Sequence, residues 1–219
     1  MIDPMANGES GPSARERLLG RAINNVVTHA PWLWPLLRAP VRRAFDARAR
    51  GWDDRPRAQA PDYLTPLATA VLHVSRRPER VLEVGCGTGV GTLFLAREFP
   101  QARVRGVDVS EEMIAEARAK TGLDPEGRVA FRVADAAALP YEDESFDLVA
   151  HLNMPPFFAE VARVLRPGGH AIVAASFGAG TPFYTPASVL ERGFERVGLA
   201  TVEAGEAGAG TYYVAGLPA

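Results

Sequence analysis

The sequence predicts an α/β protein built on a parallel sheet with helices on both faces. Predicted strands alternate with predicted helices from Arg80 to Ser176, which is typical of such a sheet. A glycine-rich turn, Gly85 to Gly89, joins the first of these strands to the helix that follows it. The 219 residues, 47% of them hydrophobic, are enough for one packed domain with an appended segment.

The chain before the first strand divides into three stretches. Met1 to Ser13 is rich in glycine, proline and serine without periodicity, and we expect it to be disordered. Ala14 to Asn25 is compatible with a short amphipathic helix. Ala30 to Arg43 combines tryptophans and leucines with arginines and is broken by three prolines. We favour an appended helix that packs on the domain and helps to close a substrate cleft, and the alternative is an interfacial membrane segment.

The elements of the sheet follow in chain order. A helical stripe of apolar residues covers Pro61 to Ser75, ahead of the first strand. Strands are predicted at Val81–Val84, Arg103–Asp108, Val129–Ala134, Phe146–Leu152, His170–Ser176, Ala200–Glu203 and Tyr212–Ala215. Helices between them are predicted at Val90–Phe99, from the N-cap Ser110 through Thr121, at Phe158–Leu165 and at Val189–Val197.

The turn reads Glu83-Val84-Gly85-Cys86-Gly87-Thr88-Gly89 and indicates the class of ligand. The dinucleotide fingerprint Gly-x-Gly-x-x-Gly fails here, because Val90 and Thr92 stand where its third glycine would fall. The motif instead resembles the first motif of the class I S-adenosylmethionine-dependent methyltransferases, whose loop holds the methionine part of the cofactor. The other interpretation is a purely structural turn in some other α/β protein.

Later motifs extend this resemblance over about Phe45 to Ala215. They are the Phe45-Asp46 and Trp52-Asp53 pairs, the linker Leu139 to Asp147, and the turn Leu165-Arg166-Pro167-Gly168-Gly169. The resemblance implies a Rossmann-like, doubly wound sheet of seven strands, mostly parallel with the last strand antiparallel, plus an N-terminal helical extension. We divide the chain accordingly into a disordered stretch at 1–13, a helical lid or extension at 14–60 and a cofactor-binding methyltransferase domain at 61–219.

The resemblance also implies a set of cofactor-binding residues. Asp108 ends the second strand about twenty residues after the turn, where a carboxylate can accept both ribose hydroxyls. Asp135 and Ala136 follow the third strand, where the family binds the adenine amino group and ring. The full set of expected cofactor-binding residues is Glu83, Gly85, Cys86, Gly87, Gly89, Asp108, Val109, Asp135, Ala136 and Asn153.

The acceptor side is less well marked. Asn153 begins a stretch similar to the Asn-Pro-Pro-aromatic signature of amide-methylating enzymes, but Met154 interrupts it. His151 and Tyr184 are the candidate general bases, although His151 also suits a packed strand end. The loop Phe177 to Thr185 is expected to form part of the acceptor pocket. No Ser-His-Asp set or metal-ligating cluster is visible, and aligned methyl transfer requires neither.

We therefore expect an enzyme that transfers a methyl group from S-adenosylmethionine to a small molecule, leaving S-adenosylhomocysteine. The alternatives are a nicotinamide-dependent oxidoreductase, a non-catalytic cofactor-binding module and a macromolecular acceptor. The net charge of −2 argues against nucleic acid. The single cysteine and the lack of a signal or membrane-span pattern favour a cytoplasmic protein without a membrane partner. The acceptor, the choice among O-, N- and C-methylation, the need for a base and the oligomeric state stay open.

Overall fold

The computed structural model describes residues 14–122, 124 and 126–219, so the disorder expected for Met1 to Ser13 lies outside the described residues. The helices are α1 (Ala14–His29), α2 (Trp34–Asp46), α3 (Thr65–Val71), α4 (Val90–Glu98), α5 (Glu111–Lys120), α6 (Phe158–Val164) and α7 (Ala187–Glu195). The strands are β1 (Arg80–Val84), β2 (Arg103–Asp108), β3 (Val129–Val133), β4 (Phe146–Leu152), β5 (Leu165–Ala175), β6 (Ala200–Ala207) and β7 (Gly210–Gly216). A short 3-10 turn, Pro31–Leu33, joins α1 to α2.

The seven strands form one sheet in the order β3-β2-β1-β4-β5-β7-β6. Strands β3, β2, β1, β4 and β5 pair in parallel, whereas β7 runs antiparallel to both β5 and β6. The expected mostly parallel sheet with an antiparallel last strand is confirmed. The strand order reverses between β1 and β4, and ligands of open α/β sheets bind at the carboxyl ends of the strands beside such a reversal.

The core lies on both faces of the sheet, because side chains of successive strand residues point to opposite faces. On one face, Val84 and Val173 belong to a buried cluster that α1, α2, α6 and α7 cover. On the other face, Leu67 of α3 and Leu95 of α4 pack against Leu148. The helices thus cover the sheet on both sides, and its carboxyl edge is where a ligand site can form.

The N-terminal segment is part of this core and not a loose appendage. Ile23, Val27 and Trp34 are buried in the first cluster. Helix α2 also continues through Pro40, although prolines were expected to break it. Pro40 has no N–H to donate to the carbonyl of Leu36, four residues earlier. Both residues are exposed, so water can satisfy that carbonyl.

Several predicted boundaries differ from the observed ones. The helix expected over Pro61 to Ser75 is restricted to α3, and α1 runs four residues beyond Asn25. Strand β5 begins at Leu165, before the expected start at His170. Its pairing with β4 shifts register between Phe146, which faces Leu165, and Leu148, which faces His170. The Arg-Pro-Gly-Gly turn lies in this shift and is therefore counted in the strand. The glycine-rich turn expected between Glu203 and Tyr212 is mostly paired strand, and the chain reverses in a tight turn at Gly208.

Candidate functional site

The glycine turn connects β1 to α4 and adopts a conformation that favours glycine. Gly85, Gly87 and Gly89 have φ values of 72°, 51° and 85°, in the left-handed region that side chains disfavour. The N–H groups of Gly85 and Cys86 both donate to the carbonyl of Val107, at 2.8 and 2.9 Å. The turn is therefore folded onto the end of the neighbouring strand β2.

The space around the glycines of the turn and of α4 is filled at some positions and open at another. A Cβ added to Gly85 would meet the Met154 Sδ at 1.9 Å, and one added to Gly91 would meet the Glu83 Oε1 at 2.1 Å. A Cβ added to Gly87 would find nothing within 4 Å. The turn is thus tightly packed underneath and open above Gly87, which suits close approach of a ligand to the backbone.

Asp108 lies beside this opening, at the end of β2. Its Oδ2 accepts from the Gly87 N–H at 2.9 Å, and its Oδ1 accepts from the Ser110 N–H at 2.9 Å. Burial raises the pKa of this carboxyl, and the backbone hydrogen bonds partly offset that effect. Ser110 caps α5 as expected and donates to Asp46 of α2 at 2.6 Å, which fixes the end of α2 next to Val109.

Asp135 lies after β3, and α2 reaches over it. Its Oδ1 accepts from the Trp34 indole N–H at 2.8 Å and from the Ala137 N–H at 3.0 Å. Its Oδ2 accepts from Arg38 at 3.0 Å. Sequence reasoning did not identify Trp34 and Arg38 as its partners, because they precede Asp135 by about a hundred residues and no local signal links them. Helix α2 therefore forms a wall over the two strand-end carboxylates.

Glu83, expected among the cofactor-binding residues, lies beneath the turn and is fully buried. Its carboxyl accepts a hydrogen bond from the Thr92 hydroxyl of α4. Burial raises the pKa of Glu83 to about 8, although the Thr92 hydrogen bonds lower it. The side chain thus connects β1 to α4 from below, a position suited to holding the turn in shape.

This burial gives a testable pH dependence. The folded-state pKa of Glu83 lies above its ordinary value of 4.5, so between pH 4.5 and about 8 the folded chain keeps a proton that the unfolded chain has lost. The contribution of Glu83 to stability is therefore present at low pH and is lost as pH rises through that window. A tenfold change in a proton-binding constant corresponds to about 1.4 kcal/mol, so the loss across the window amounts to several kcal/mol. Glu83→Gln should remove this decline.

The measurement is denaturant unfolding of wild type and Glu83→Gln from pH 5 to pH 8, within the window that the raised pKa of Glu83 defines. The free-energy difference between the two should change steadily in favour of the variant as pH rises. Because all other groups are shared, their titration cancels in that difference. A difference that stays constant across the range would show that Glu83 keeps an ordinary pKa.

Cys86, Asn153 and Tyr63 complete the carboxyl edge. Burial raises the pKa of the Cys86 thiol well above its usual value, so it stays protonated and packs as a small residue. The Asn153 Oδ1 accepts from the Ser176 N–H at 2.8 Å, which fixes the orientation of the amide. Its Nδ2 then donates to the Ser176 Oγ at 2.9 Å and to the Tyr63 hydroxyl at 3.2 Å. Sequence reasoning missed Tyr63, which belongs to the loop before α3.

The two candidate bases occupy different environments. His151 is 0% exposed and lies opposite Val173 of β5. Neither of its ring nitrogens has a hydrogen-bond partner among the residues that the structure describes, and burial lowers its pKa to about 4. The candidate base role of His151 does not fit this position, since an acceptor has no access to it, whereas the alternative of a packed strand end does fit. Tyr184 lies in the loop after β5 and is partly exposed.

The segment between α2 and α3 covers the glycine turn. Asp53 accepts from the Thr88 hydroxyl of the turn at 2.6 Å and pairs with Lys120 at the end of α5. Phe45 lies 5.8 Å from Trp52 and 6.0 Å from Phe183, between ring centroids. The Phe-Asp and Trp-Asp pairs are thus part of a cover that joins the turn to the loop after β5.

Comparison with known proteins assigns the family. A family model described as a methyltransferase domain matches residues 81–169, which contain the turn and both strand-end carboxylates. The fatty-acid O-methyltransferase of Mycolicibacterium smegmatis is 33% identical over 186 residues, 76% of this chain and 66% of that protein. The chain belongs to the class I S-adenosylmethionine-dependent methyltransferases. An O-methyltransferase of Penicillium expansum is 35% identical over 134 residues, 56% of this chain and 48% of its own length.

Solved structures agree with the methyltransferase fold. An S-adenosylmethionine-dependent methyltransferase from Aquifex aeolicus has a TM-score of 0.64 at 19% identity and covers 78% of this chain and 98% of its own. The chain spans 48% and 66% of the length of the two curated O-methyltransferase relatives, and as little as 37% of the length of another curated relative. The cofactor of the family is S-adenosylmethionine.

Proposed function

We propose that this protein transfers a methyl group from S-adenosylmethionine to a small-molecule acceptor. One observation carries the proposal: Asp108, at the end of β2, accepts a hydrogen bond from the open Gly87 of the turn, and Asp135 follows the neighbouring parallel strand β3 at the same edge of the sheet. The two ends are held together by a 2.9 Å hydrogen bond from the Ala134 N–H to the Asp108 carbonyl. This pairing of a glycine cradle with two carboxylates suits a ligand that has an amino acid part, a ribose and an adenine.

Different residues of the site would contact the ribose, the adenine and the methionine part of the cofactor. Asp108 would accept the ribose hydroxyls, since both its oxygens are oriented by backbone N–H groups and keep free lone pairs. Asp135 and Ala136 would hold the adenine, with α2 as the outer wall. The open backbone at Gly87 would accommodate the methionine part, with Glu83 supporting the turn from beneath.

When bound, S-adenosylmethionine supplies an electrophilic methyl on a sulfonium centre. The task of the protein is then to orient the acceptor and to exclude water. Tyr63 is suited to orientation. Burial raises the pKa of its hydroxyl, so the phenol stays protonated at neutral pH. Because its oxygen already accepts from Asn153, its proton is available to a ligand oxygen.

An oxygen of an apolar molecule is the acceptor that we favour. The fatty-acid O-methyltransferase relative and the malonyl-[acyl-carrier protein] O-methyltransferase of Halorhodospira halophila, 36% identical over 151 residues, both methylate oxygen according to their names. The loop after β5 offers aromatic surface to an apolar acceptor. The ring centroid of Phe177 lies 6.3 Å from that of Tyr63, and the guanidinium carbon of Arg57 lies over the Phe177 ring, 4.5 Å from its centroid.

The test is transfer of labelled methyl from S-adenosylmethionine to a panel of fatty acids, phenols and amines. We expect label in an ester or ether of at least one oxygen acceptor, together with S-adenosylhomocysteine. Label on nitrogen or carbon alone would exclude O-methylation and keep methyl transfer. Tight binding of S-adenosylhomocysteine without transfer to any acceptor would favour the non-catalytic binding module.

A further inference from the structure

Two tryptophans at the start of α2 point in opposite directions. Trp34 is 5% exposed, packs edge-on against Phe157 at 5.4 Å and donates to Asp135. Trp32, two residues earlier in the 3-10 turn, is 73% exposed. Leu36 on the same outer side is 74% exposed, and Leu33 is exposed as well. We call Trp32 and Leu33 of the 3-10 turn together with Leu36 of α2 the apolar face.

The apolar face adjoins a concentration of positive charge. Arg42 and Arg43 follow on α2, are exposed, and have no side-chain hydrogen bond or ion pair within the part of the chain that the structure describes. The segment 17–46 contains five arginines, of which Arg38 pairs with Asp135, against the single acid Asp46, although the whole chain has a net charge of −2. The positive charge is therefore localised on the helices that also expose large apolar side chains.

We propose that this apolar face docks onto an anionic lipid bilayer surface. Exposed tryptophan and leucine beside arginines form the pattern of a helix lying in the membrane interface, with its apolar side chains among the headgroups and its cations on lipid phosphates. No helix within 14–122, 124 and 126–219 is long and apolar enough to cross a bilayer. The inner face of α2 holds Asp135, so one helix serves both the cofactor site and the membrane contact.

This docking is independent of the methyl-transfer proposal and is tested on the full chain without any ligand. The probes are vesicles of phosphatidylcholine alone and with about 30% phosphatidylglycerol. Wild type should bind the anionic vesicles at low salt and lose affinity as salt is added. Arg42→Gln and Arg43→Gln should each weaken binding roughly fivefold. The double substitution Trp32→Glu and Leu36→Glu should weaken it by more than tenfold.

Leu72→Glu is the matched control, since Leu72 is 80% exposed but follows α3, on the opposite face of the sheet. It should leave binding unchanged. The fluorescence of Trp32 should shift to the blue with anionic vesicles, and Trp32→Phe should remove most of that shift while Trp34 and Trp52 remain. Because the substituted side chains are exposed, thermal unfolding should stay cooperative in every variant.

Several results would overturn the proposal. They are no binding of wild type to anionic vesicles, equal binding to both vesicle types at low salt, equal loss in Leu72→Glu, or full binding by the double variant. A dimer in sedimentation that Trp32→Glu dissociates, without vesicle binding, would assign the face to a second copy of the chain.

Discussion

Gly87→Val should abolish binding of S-adenosylhomocysteine while leaving a folded protein. Gly87 has φ of 51°, where a β-branched residue is strained. Its Cβ would also enter the one open space of the turn, where nothing lies within 4 Å. The strain and the lost volume act on the same site, so we expect at least a hundredfold loss in affinity by titration calorimetry, on the order of 3 kcal/mol or more.

Gly198→Val provides a control for backbone strain alone. Gly198 has φ of 87° and likewise has nothing within 4 Å of an added Cβ, but it lies after α7, before the edge strand β6. Both variants should lose a similar amount of thermal stability, and only Gly87→Val should lose the ligand. Wild-type affinity in Gly87→Val would mean that the turn is only structural.

Asp108→Ala should weaken S-adenosylhomocysteine binding roughly tenfold to a hundredfold, because a two-pronged hydrogen bond to a carboxylate contributes about 1.5–3 kcal/mol. The substitution should also lower stability, since Asp108 accepts the N–H groups of Gly87 and Ser110 in the folded chain. The sequence shows Asp108 only as an acid at a strand end and gives no sign of this effect on folding, because the two backbone contacts arise from the fold.

Asp147→Ala separates the two effects. Asp147 also accepts two backbone N–H groups, from Glu79 at 2.9 Å and Arg80 at 2.7 Å, but at the opposite edge of the sheet. Its loss should cost stability without changing the dissociation constant. An unchanged dissociation constant in Asp108→Ala as well would remove Asp108 from the site.

The sheet and the cofactor edge were predictable because their signals are local. Alternating apolar strands and the spacing of Gly85, Gly87 and Gly89 place the turn at the carboxyl end of β1. Once strands run in parallel, the acids at the ends of β2 and after β3 must lie at the same edge. The antiparallel direction of the last strand came only from the family resemblance, since periodicity encodes neither the direction nor the order of strands.

The contacts that the segments before β1 make with the site were not predictable from the sequence. Trp34 contacts Asp135 across 101 residues, and Tyr63 contacts Asn153 across 90, so no sequence spacing indicates either pair. The prolines of α2 suggested a broken segment, but burial of Trp34 on one side outweighs the single hydrogen bond lost at Pro40. For His151 the sequence left open both a base role and a packed strand end, and the complete burial of its side chain decides for the packed strand end.

The most direct test of the central claim is titration calorimetry of the wild-type chain with S-adenosylhomocysteine and, separately, with NAD. The geometry of the turn and of Asp108 predicts micromolar binding of S-adenosylhomocysteine at one site per chain and no heat with NAD. No binding of S-adenosylhomocysteine, or tighter binding of NAD, would contradict the assignment of the carboxyl edge as an S-adenosylmethionine site.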